Sequence, residues 1–470
     1  MVEPQTLTER KAVGKQARIR AKRSQQKEIG NTARDPVDLL RANSAGRVES
    51  LVPLRYGRMA VSPFTFFRGS AILQAHDLAW TVDSGIVFPI CGDAHLMNFG
   101  GFATPERQLV FDLNDFDEAA TGPWEWDVKR LVASLAIAGQ HAGASKATIG
   151  DFISTAVHEY AERMREYSTF SALEMWHEIL TFERVRDSSL TDEGRKLVDK
   201  TIAKAETRTH GSVLEKMAVQ RDGTWTIQDA PPALFHPAGP TSLLGPASNW
   251  SDTKAWRGKL AKAFEAYTET LSADQRTLLQ QYRLHDIAFK VVGVGSVGTF
   301  CLAMLFIDGH GKPLFLQVKE ARSSVIADYY PAKGEDHQGK RVVIGQRLLQ
   351  GASDAFLGWT SGPAGRNFYF RQLRDMKVSA EVERMSNALL QGYSRICGWA
   401  MARAHAKASG RAVEISAYLG RGGSFAEAMN KYALAYADQN EADYTTFMRA
   451  CRSGKLEARS DEDMAADFRI

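Results

Sequence analysis

The sequence predicts an α+β protein arranged as two lobes, and three observations carry that expectation. Residues 86–118 alternate short apolar runs with Gly, Asn and Asp, the pattern of brief strands and tight turns. A second block of the same character runs from Asp286 to Lys377. Elsewhere apolar residues recur at helical spacing, as in Phe152, Ile153, Ala156, Val157, Tyr160 and Met164. The expected divisions are a basic flexible arm over 1–35 and a mainly helical lobe containing the acidic block over 36–285. A small β-rich lobe over 286–377 and helices completing the large lobe over 378–470 follow.

Composition narrows the class. A chain of 470 residues has enough length for two or three domains' worth of core, and 44% hydrophobic with 24% charged residues is ordinary for a soluble globular protein. The net charge of +4 requires no polyanionic partner, so nucleic acid is not expected. Cys91, Cys301, Cys397 and Cys451 are scattered with no Cys-x-x-Cys pair, which excludes the usual structural zinc spacings and points to a reducing compartment. No secretory signal and no membrane-spanning apolar run is read, so a cytoplasmic location and no membrane partner are expected.

Taken in order, residues 1–30 are polar and basic and read as a solvated, partly helical arm. Aromatics surround Arg68 in Phe64-Thr-Phe-Phe67-Arg68-Gly69, so its guanidinium is expected in a core or cleft, as a phosphate or carboxylate clamp or as half of a structural salt bridge. A helix over 69–80 follows. Ile86 to Ile90 then reads as a buried strand leading into Cys91-Gly92-Asp93-Ala94-His95-Leu96-Met97-Asn98. A second strand, Gln108 to Leu113, leads into Asn114-Asp115-Phe116-Asp117-Glu118. Two strand ends thus deliver a carboxylate, an amide five residues later and a group of acids. That combination supplies hard oxygen ligands for magnesium and one carboxylate left to take a proton. A Gly-Asp turn near an Asn is also common loop chemistry. The matching offsets of Asp115 and Asp127 favour function over that bland alternative.

Beyond Asp127 the chain turns helical, with further helices expected near 172–184, 190–208 and 251–283 and a Pro/Gly-rich loop from Pro231 to Pro246. His210 and His236 read as surface or packing residues. Ile287 to Val292 is expected as a strand, followed by Gly293-Val-Gly295-Ser296-Val-Gly298, a strand from Thr299 to Ile307, an Asp308-Gly309 turn and a strand ending at Val318-Lys319-Glu320. The glycines also fit a dinucleotide fingerprint, with Glu320 about 20 residues on. That fingerprint needs a helix after the third glycine, and the wholly apolar run after Gly298 favours a hairpin instead. Helices are then expected at Arg341–Leu349, Glu381–Ala408, whose His405 reads as a packed core residue, and 425–450, before a polar, mobile tail.

The spacing of Asp93, Asn98 and Asp115 resembles a protein-kinase catalytic loop with its metal-binding Asp. The Gly-Asp-x-His95 form is more similar to the aminoglycoside and choline phosphotransferase branch, in which an Asp on a following helix ties down the loop; Trp126-Asp127-Val128-Lys129-Arg130-Leu131 resembles that element. Cys91 departs from the branch, which has His there. The resemblance implies that Asp93 accepts a proton from an acceptor hydroxyl. Asn98 and Asp115 would hold Mg2+, with Asp117 or Asp112 as further ligands. Arg68 and His95 would support substrate or loop. Gly293, Gly295, Ser296 and Gly298 would cover the phosphates of ATP, Lys319 would neutralise them, and backbone groups of Gln372 and Leu373 would meet adenine. Kinases place a Glu in the helix beside the lysine strand. Arg341–Leu349 offers none, so Glu320, Glu335 or the phosphates alone would have to hold Lys319.

Lys319 follows Asp93 here, the reverse of ordinary kinases, so the resemblance implies a circularly permuted, kinase-like fold, which close termini make feasible. Nearly everything after residue 35 also resembles an uncharacterised bacterial family, domain of unknown function 2252. The stretches that carry it include Arg55-Tyr-Gly-Arg-Met, Phe67-Arg-Gly, Gly92-Asp-Ala-His, Asp115-Phe-Asp, Gln317-Val-Lys-Glu, Gln372-Leu-Arg-Asp-Met-Lys377 and Tyr436-Ala-Asp-Gln-Asn440. The leading expectation is an ATP- and magnesium-dependent phosphotransferase acting on a hydroxyl of a small molecule or protein. An AMP transferase of the same fold, and a nucleotide-binding protein without catalysis, are the alternatives. A metallophosphoesterase would need more His ligands than this region has.

Overall fold

The computed structural model describes residues 5–189, 191–207, 210–221, 223–244, 253–373 and 376–468. Among them the chain is a mixed α+β protein. Its strands, in chain order, are β1 (Val87–Ile90), β2 (Phe99–Ala103), β3 (Leu109–Leu113), β4 (Ala120–Pro123), β5 (Ala218–Arg221), β6 (Thr224–Ile227) and β7 (Leu234–Phe235). They continue with β8 (Tyr282–Lys290), β9 (Cys301–Asp308), β10 (Pro313–Ala321), β11 (Gly358–Ser361), β12 (Asn367–Gln372) and β13 (Val378–Ser379). The largest sheet is antiparallel in the order β11-β12-β10-β9-β8-β7, and a smaller one runs β13-β2-β3.

Strands β9 and β10 are apolar almost throughout because both faces of the large sheet are covered. Successive side chains point to opposite faces. Leu302, Met304, Phe306, Leu314, Leu316 and Val318 join one core cluster with Tyr267, while Ala303, Leu305, Ile307 and Phe315 join another with Leu214 and Ile227. The helix Thr253–Glu269 on one side, and the helix His210–Met217 with strands β5 and β6 on the other, are therefore the two covers of this sheet. The strand after Gly298 excludes the dinucleotide-type helix. Strand β8 begins at Tyr282, earlier than the sequence pattern suggests, because polar Arg283 and His285 alternate along its exposed end.

The main core lies among the helices Trp124–His141, Lys146–Tyr167, Asn387–Ser409, Ala412–Leu419 and Gly423–Arg452. Gly398 lets the third of these approach the second closely: a Cβ there would sit 2.3 Å from the Ala156 carbonyl oxygen. The helix expected over 172–184 is two, Ala172–His177 and Phe182–Asp187. The chain between them is drawn out to pair with β3, where the Phe111 N–H donates to the Leu180 carbonyl at 2.8 Å. The expectations at 190, 208, 245–246, 251–252 and 374–375 fall outside the described residues.

The N-terminal segment differs from the flexible arm expected over 1–35. Helix Leu7–Arg20, opened by a Thr6–Glu9 capping box, packs along Ala412–Leu419. Three arginines of this segment end on carbonyls and a carboxylate, while Lys11, Lys15, Lys22 and Lys27 stay exposed: Arg10 pairs with Glu414 at 2.8 Å, and Arg18 and Arg23 donate to the Tyr418 and Leu419 carbonyls at 2.8 Å. Cations at the end of a helix satisfy its open carbonyls and its dipole. The C-terminal tail is likewise docked, with helix Asp461–Ala466 held by an Arg58–Asp461 ion pair at 2.6 Å. Among the described residues no helix is long and apolar enough to cross a membrane.

Candidate active site

Between β1 and β2 the chain makes a tight loop at Gly92, where a φ of +80° and the 2.3 Å that would separate a Cβ from the Glu118 carbonyl oxygen exclude a side chain. Asp127, in the first turn of helix Trp124–His141, fastens this loop. Its two oxygens accept the N–H groups of Cys91 at 2.7 Å and Gly92 at 2.8 Å. Buried His405 lies 3.1 Å from the same carboxylate and 2.9 Å from the Tyr160 hydroxyl. Asp127 is a brace for the loop and does not line the cleft.

Asp93 does line it. Arg130 Nε donates to Asp93 Oδ1 at 2.7 Å, while Nη1 binds Gln74 at 3.0 Å, Nη2 binds the Phe67 carbonyl at 2.7 Å and the guanidinium stacks 3.7 Å over the Phe67 ring. Sequence reasoning missed Arg130. The available signal was its place three residues after Asp127, one turn along the same helix face. Burial raises the Asp93 carboxyl above the ordinary range, against the pull of Arg130. His95 Nε2 lies 3.7 Å from Asp93 Oδ2. Because His95 Nδ1 accepts the Met97 N–H at 3.2 Å and burial pushes the ring pKa far down, the neutral ring carries its proton on Nε2, facing Asp93. The Asn98 amide donates to the Asp93 carbonyl at 2.6 Å.

The three aspartates in and just after β3 have three environments. Asp112 is buried against Arg403 and the Gly351 N–H at 2.8 Å, so it braces the fold. Asp115 lies 3.5 Å from Lys319 Nζ through Oδ1, yet that buried oxygen has no hydrogen bond. Burial alone would raise the Asp115 pKa; Lys319, then Arg371 and Lys377, outweigh it and hold it at about 2. An ionised, under-coordinated oxygen of this kind suits a hard cation. Magnesium commonly takes only one or two protein carboxylates and completes its shell with phosphate and water. Among the described residues no group of three or more His, Cys, Asp and Glu could hold a metal alone.

Asp117 corrects an expectation. It stands as the counter-ion of Lys319, not as a free metal ligand: Oδ2 contacts Lys319 Nζ and accepts from Ser296 Oγ at 3.3 Å, and Oδ1 accepts from Tyr369 at 2.7 Å. Neither suggested substitute reaches Lys319, since Glu320 pairs with Arg366 and Glu335 with Lys340 at 2.7 Å. Lys319 is 2% exposed and its pKa is raised, because Asp115 and Asp117 outweigh the cost of burial. Helix Gln338–Leu349 holds the acidic loop through Arg341, which donates to the Asp117 and Arg322 carbonyls at 2.8 Å.

The glycine loop joins β8 to β9 and is tied down from behind. Arg47 donates to the Gly295 carbonyl at 2.8 Å and the Val297 carbonyl at 2.7 Å, Arg58 to that of Gly293 at 2.8 Å, and the Val48 N–H to that of Gly298 at 2.7 Å. Among the described residues the N–H groups of Gly295, Ser296 and Gly298 have no protein acceptor. Gln372 and Leu373 also depart from expectation. The Gln372 N–H donates to Asp354 and the Leu373 N–H to the Phe315 carbonyl at 2.8 Å, so neither donor is open to a base.

These elements enclose a cleft in two chambers. One, of about 300 Å³, is lined by Lys319, Lys290, Arg371 and Lys377; the other, of about 390 Å³, by Asp93, His95 and Glu118. Arg68, Asn98, Asp115, Gly293 and Ser296 line both and form the waist between them. Arg68 is not half of a salt bridge: among the described residues it makes no hydrogen bond or ion pair, and its Nε is buried and unsatisfied. Burial lowers its pKa, against the influence of Asp93 and Glu383.

The profile of a family described as uncharacterized protein conserved in bacteria (DUF2252) matches residues 47–450. No curated protein and no solved structure matches the chain.

Proposed function

The chain belongs to that bacterial family, and from the geometry of its cleft we propose that it is an ATP- and magnesium-dependent phosphotransferase with a circularly permuted, kinase-like fold. One observation carries this reading: Lys319 Nζ and Asp115 Oδ1, from segments far apart in the chain, meet at 3.5 Å in the cleft that Asp93 also lines. The glycine loop joins two neighbouring strands and Lys319 lies on the next, the order in which a kinase small lobe presents its phosphate-binding groups. Asp117 supplies the acid that helix Gln338–Leu349 lacks.

In this reading the nucleotide enters the Lys319 chamber and the acceptor the Asp93 chamber. Lys319 and the open N–H groups of the glycine loop hold phosphate oxygens. Asp93, oriented by Arg130, takes the proton of the attacking hydroxyl as it approaches the phosphorus. Asn98 and Asp115 would hold Mg2+, which supplies charge neutralisation to the phosphates when bound. Positioning and charge account for most of catalysis in such a transfer.

A second reading, transfer of AMP, draws on the charge of the Lys319 chamber. Lys290, Arg371 and Lys377 suit the outer phosphates better than a purine, and a nucleotide lying that way would present its α-phosphorus to Asp93. The test is ATP labelled at either end, incubated with magnesium and fractionated lysate. Label from the γ-position on an acceptor is expected. Label from the α-position alone would install the second reading, and saturable binding with transfer of neither would mark a nucleotide sensor. A thermal-shift screen in which no nucleotide with magnesium stabilises the protein would end all three.

A further inference from the structure

We propose that Arg68 is a catalytic residue whose guanidinium grips the phosphoryl group in transit between the two chambers; this rests on the phosphotransferase reading above. Arg68 is the last residue but one of helix Pro63–Gly69, outside every segment that supplies the loop, the acids or the lysine. It is one of five residues common to both chambers, and of these the only one bearing a positive charge. Three other arginines beside the cleft are spent on the fold. Arg47 holds the glycine loop, Arg130 holds Asp93, and Arg55 binds Ser44, Asn43 and the Gly69 carbonyl.

The Arg68 side chain is half-buried with its Nε enclosed and unpaired, and a guanidinium withdrawn from water in this way is retained where an anion completes it. Asp93 and Asp115 flank the waist without pairing with Arg68, so the missing anion is the ligand's. At the waist, the bond between the γ-phosphorus and the bridging oxygen breaks, the acceptor oxygen bonds to phosphorus, its proton passes to Asp93, and ADP leaves with the electron pair. The planar fork of Arg68 matches the equatorial oxygens on which charge collects in that transition state.

The experiment needs no acceptor. Binding of MgADP is compared with and without aluminium fluoride, which with ADP imitates the phosphoryl group in flight. The wild-type chain should bind the fluoride complex roughly 100-fold or more tighter than MgADP alone. Arg68→Gln should lose that gain while keeping MgADP affinity, which also shows that the variant is folded, and Arg68→Lys should recover part of it. An undiminished gain in Arg68→Gln overturns the assignment and leaves the phosphotransferase reading standing. A wild-type chain that binds MgADP but gains nothing from fluoride overturns it too. A wild-type chain that binds no nucleotide brings down both.

Discussion

Arg34 and Arg68 are both half-buried arginines near the start of the chain, and they are treated in opposite ways. Arg34 places Nε and Nη2 on Asp77 at 3.0 and 2.7 Å, and Nη1 and Nη2 on Asp443 at 2.7 and 2.8 Å, with Tyr436 donating to Asp77 at 3.1 Å. It thereby joins helix Ala71–Leu78 to helix Gly423–Arg452. Burial opposes its charge, but Asp443 and Asp77 outweigh burial and its pKa rises; at Arg68 burial prevails and the pKa falls. Burial therefore does not separate scaffold from chemistry in this molecule, whereas a count of partners does. An arginine paired with acceptors of the chain and turned away from the cleft holds the fold. One left open on a cavity wall awaits a ligand.

The largest effect that would sharpen this contrast is at Asp93, which belongs to both kinds: one oxygen is held by Arg130 and the carboxylate still faces the cleft. Asp93→Asn should cut turnover on the order of 10³-fold, the usual worth of a proton-accepting group. Calorimetry should find its MgATP affinity near wild type. Loss of nucleotide binding instead would place Asp93 among the holding groups and break the distinction.

Next in size is the direct comparison of the two arginines by urea denaturation. Arg34→Met leaves Asp77 and Asp443 buried without their cation and should cost roughly 3–5 kcal/mol. Arg68→Met removes a desolvated charge that satisfies nothing, and should change stability by about 1 kcal/mol or less, in either direction. Similar losses in both variants would show that Arg68 has a structural partner in solution, and the contrast would dissolve.

What the sequence disclosed, and what it hid, follows the same division. Local spacing was readable: Asp93, Asn98 and Asp115 are separated by one loop and one hairpin, and they come together at the waist or beside it. The brace from Asp127 was readable through the resemblance to the phosphotransferase branch. The roles of Asp112, Asp115 and Asp117 were not, because neighbours of like chemistry are distinguished only by what meets them. Arg403, which neutralises Asp112, is 291 residues away, and Tyr369, which fixes Asp117, is 252 away. The basic N-terminal segment was only partly read for that reason. Its lysines are solvated as expected, but Arg18 and Arg23 look so only until the carbonyl ends of helix Ala412–Leu419, remote in sequence, are brought against them. The donors of Gln372 and Leu373 were misassigned because Asp354 and the Phe315 carbonyl reach them only through the folded sheet.

The smallest effect concerns a charge with partners and partial exposure, the case between Arg34 and Arg68. His236 lies with Nδ1 2.7 Å from Asp229 and Nε2 3.0 Å from Asp286, and Asp286 also accepts the Ile227 N–H at 2.7 Å. The hydrogen bond to Asp286 is the main reason that its pKa rises from 6.5 to about 9, with burial opposing and the charges of Asp286 and Asp229 assisting. A histidine whose folded pKa is raised stabilises the fold fully below its unfolded pKa, and that contribution fades as pH rises through the folded value. Hydrogen exchange over residues 229–242 should therefore quicken between about pH 6.5 and 9 beyond its intrinsic dependence on pH. His236→Asn should flatten the excess. Because the ring is 27% exposed, solvent screens the pair and the effect on overall stability should stay below about 1 kcal/mol. An unchanged slope in the variant would mean that the aspartates hold this loop without the cation. Partners would then matter only where solvent is excluded, and burial would have to be restored beside partner count as a criterion for reading these charges.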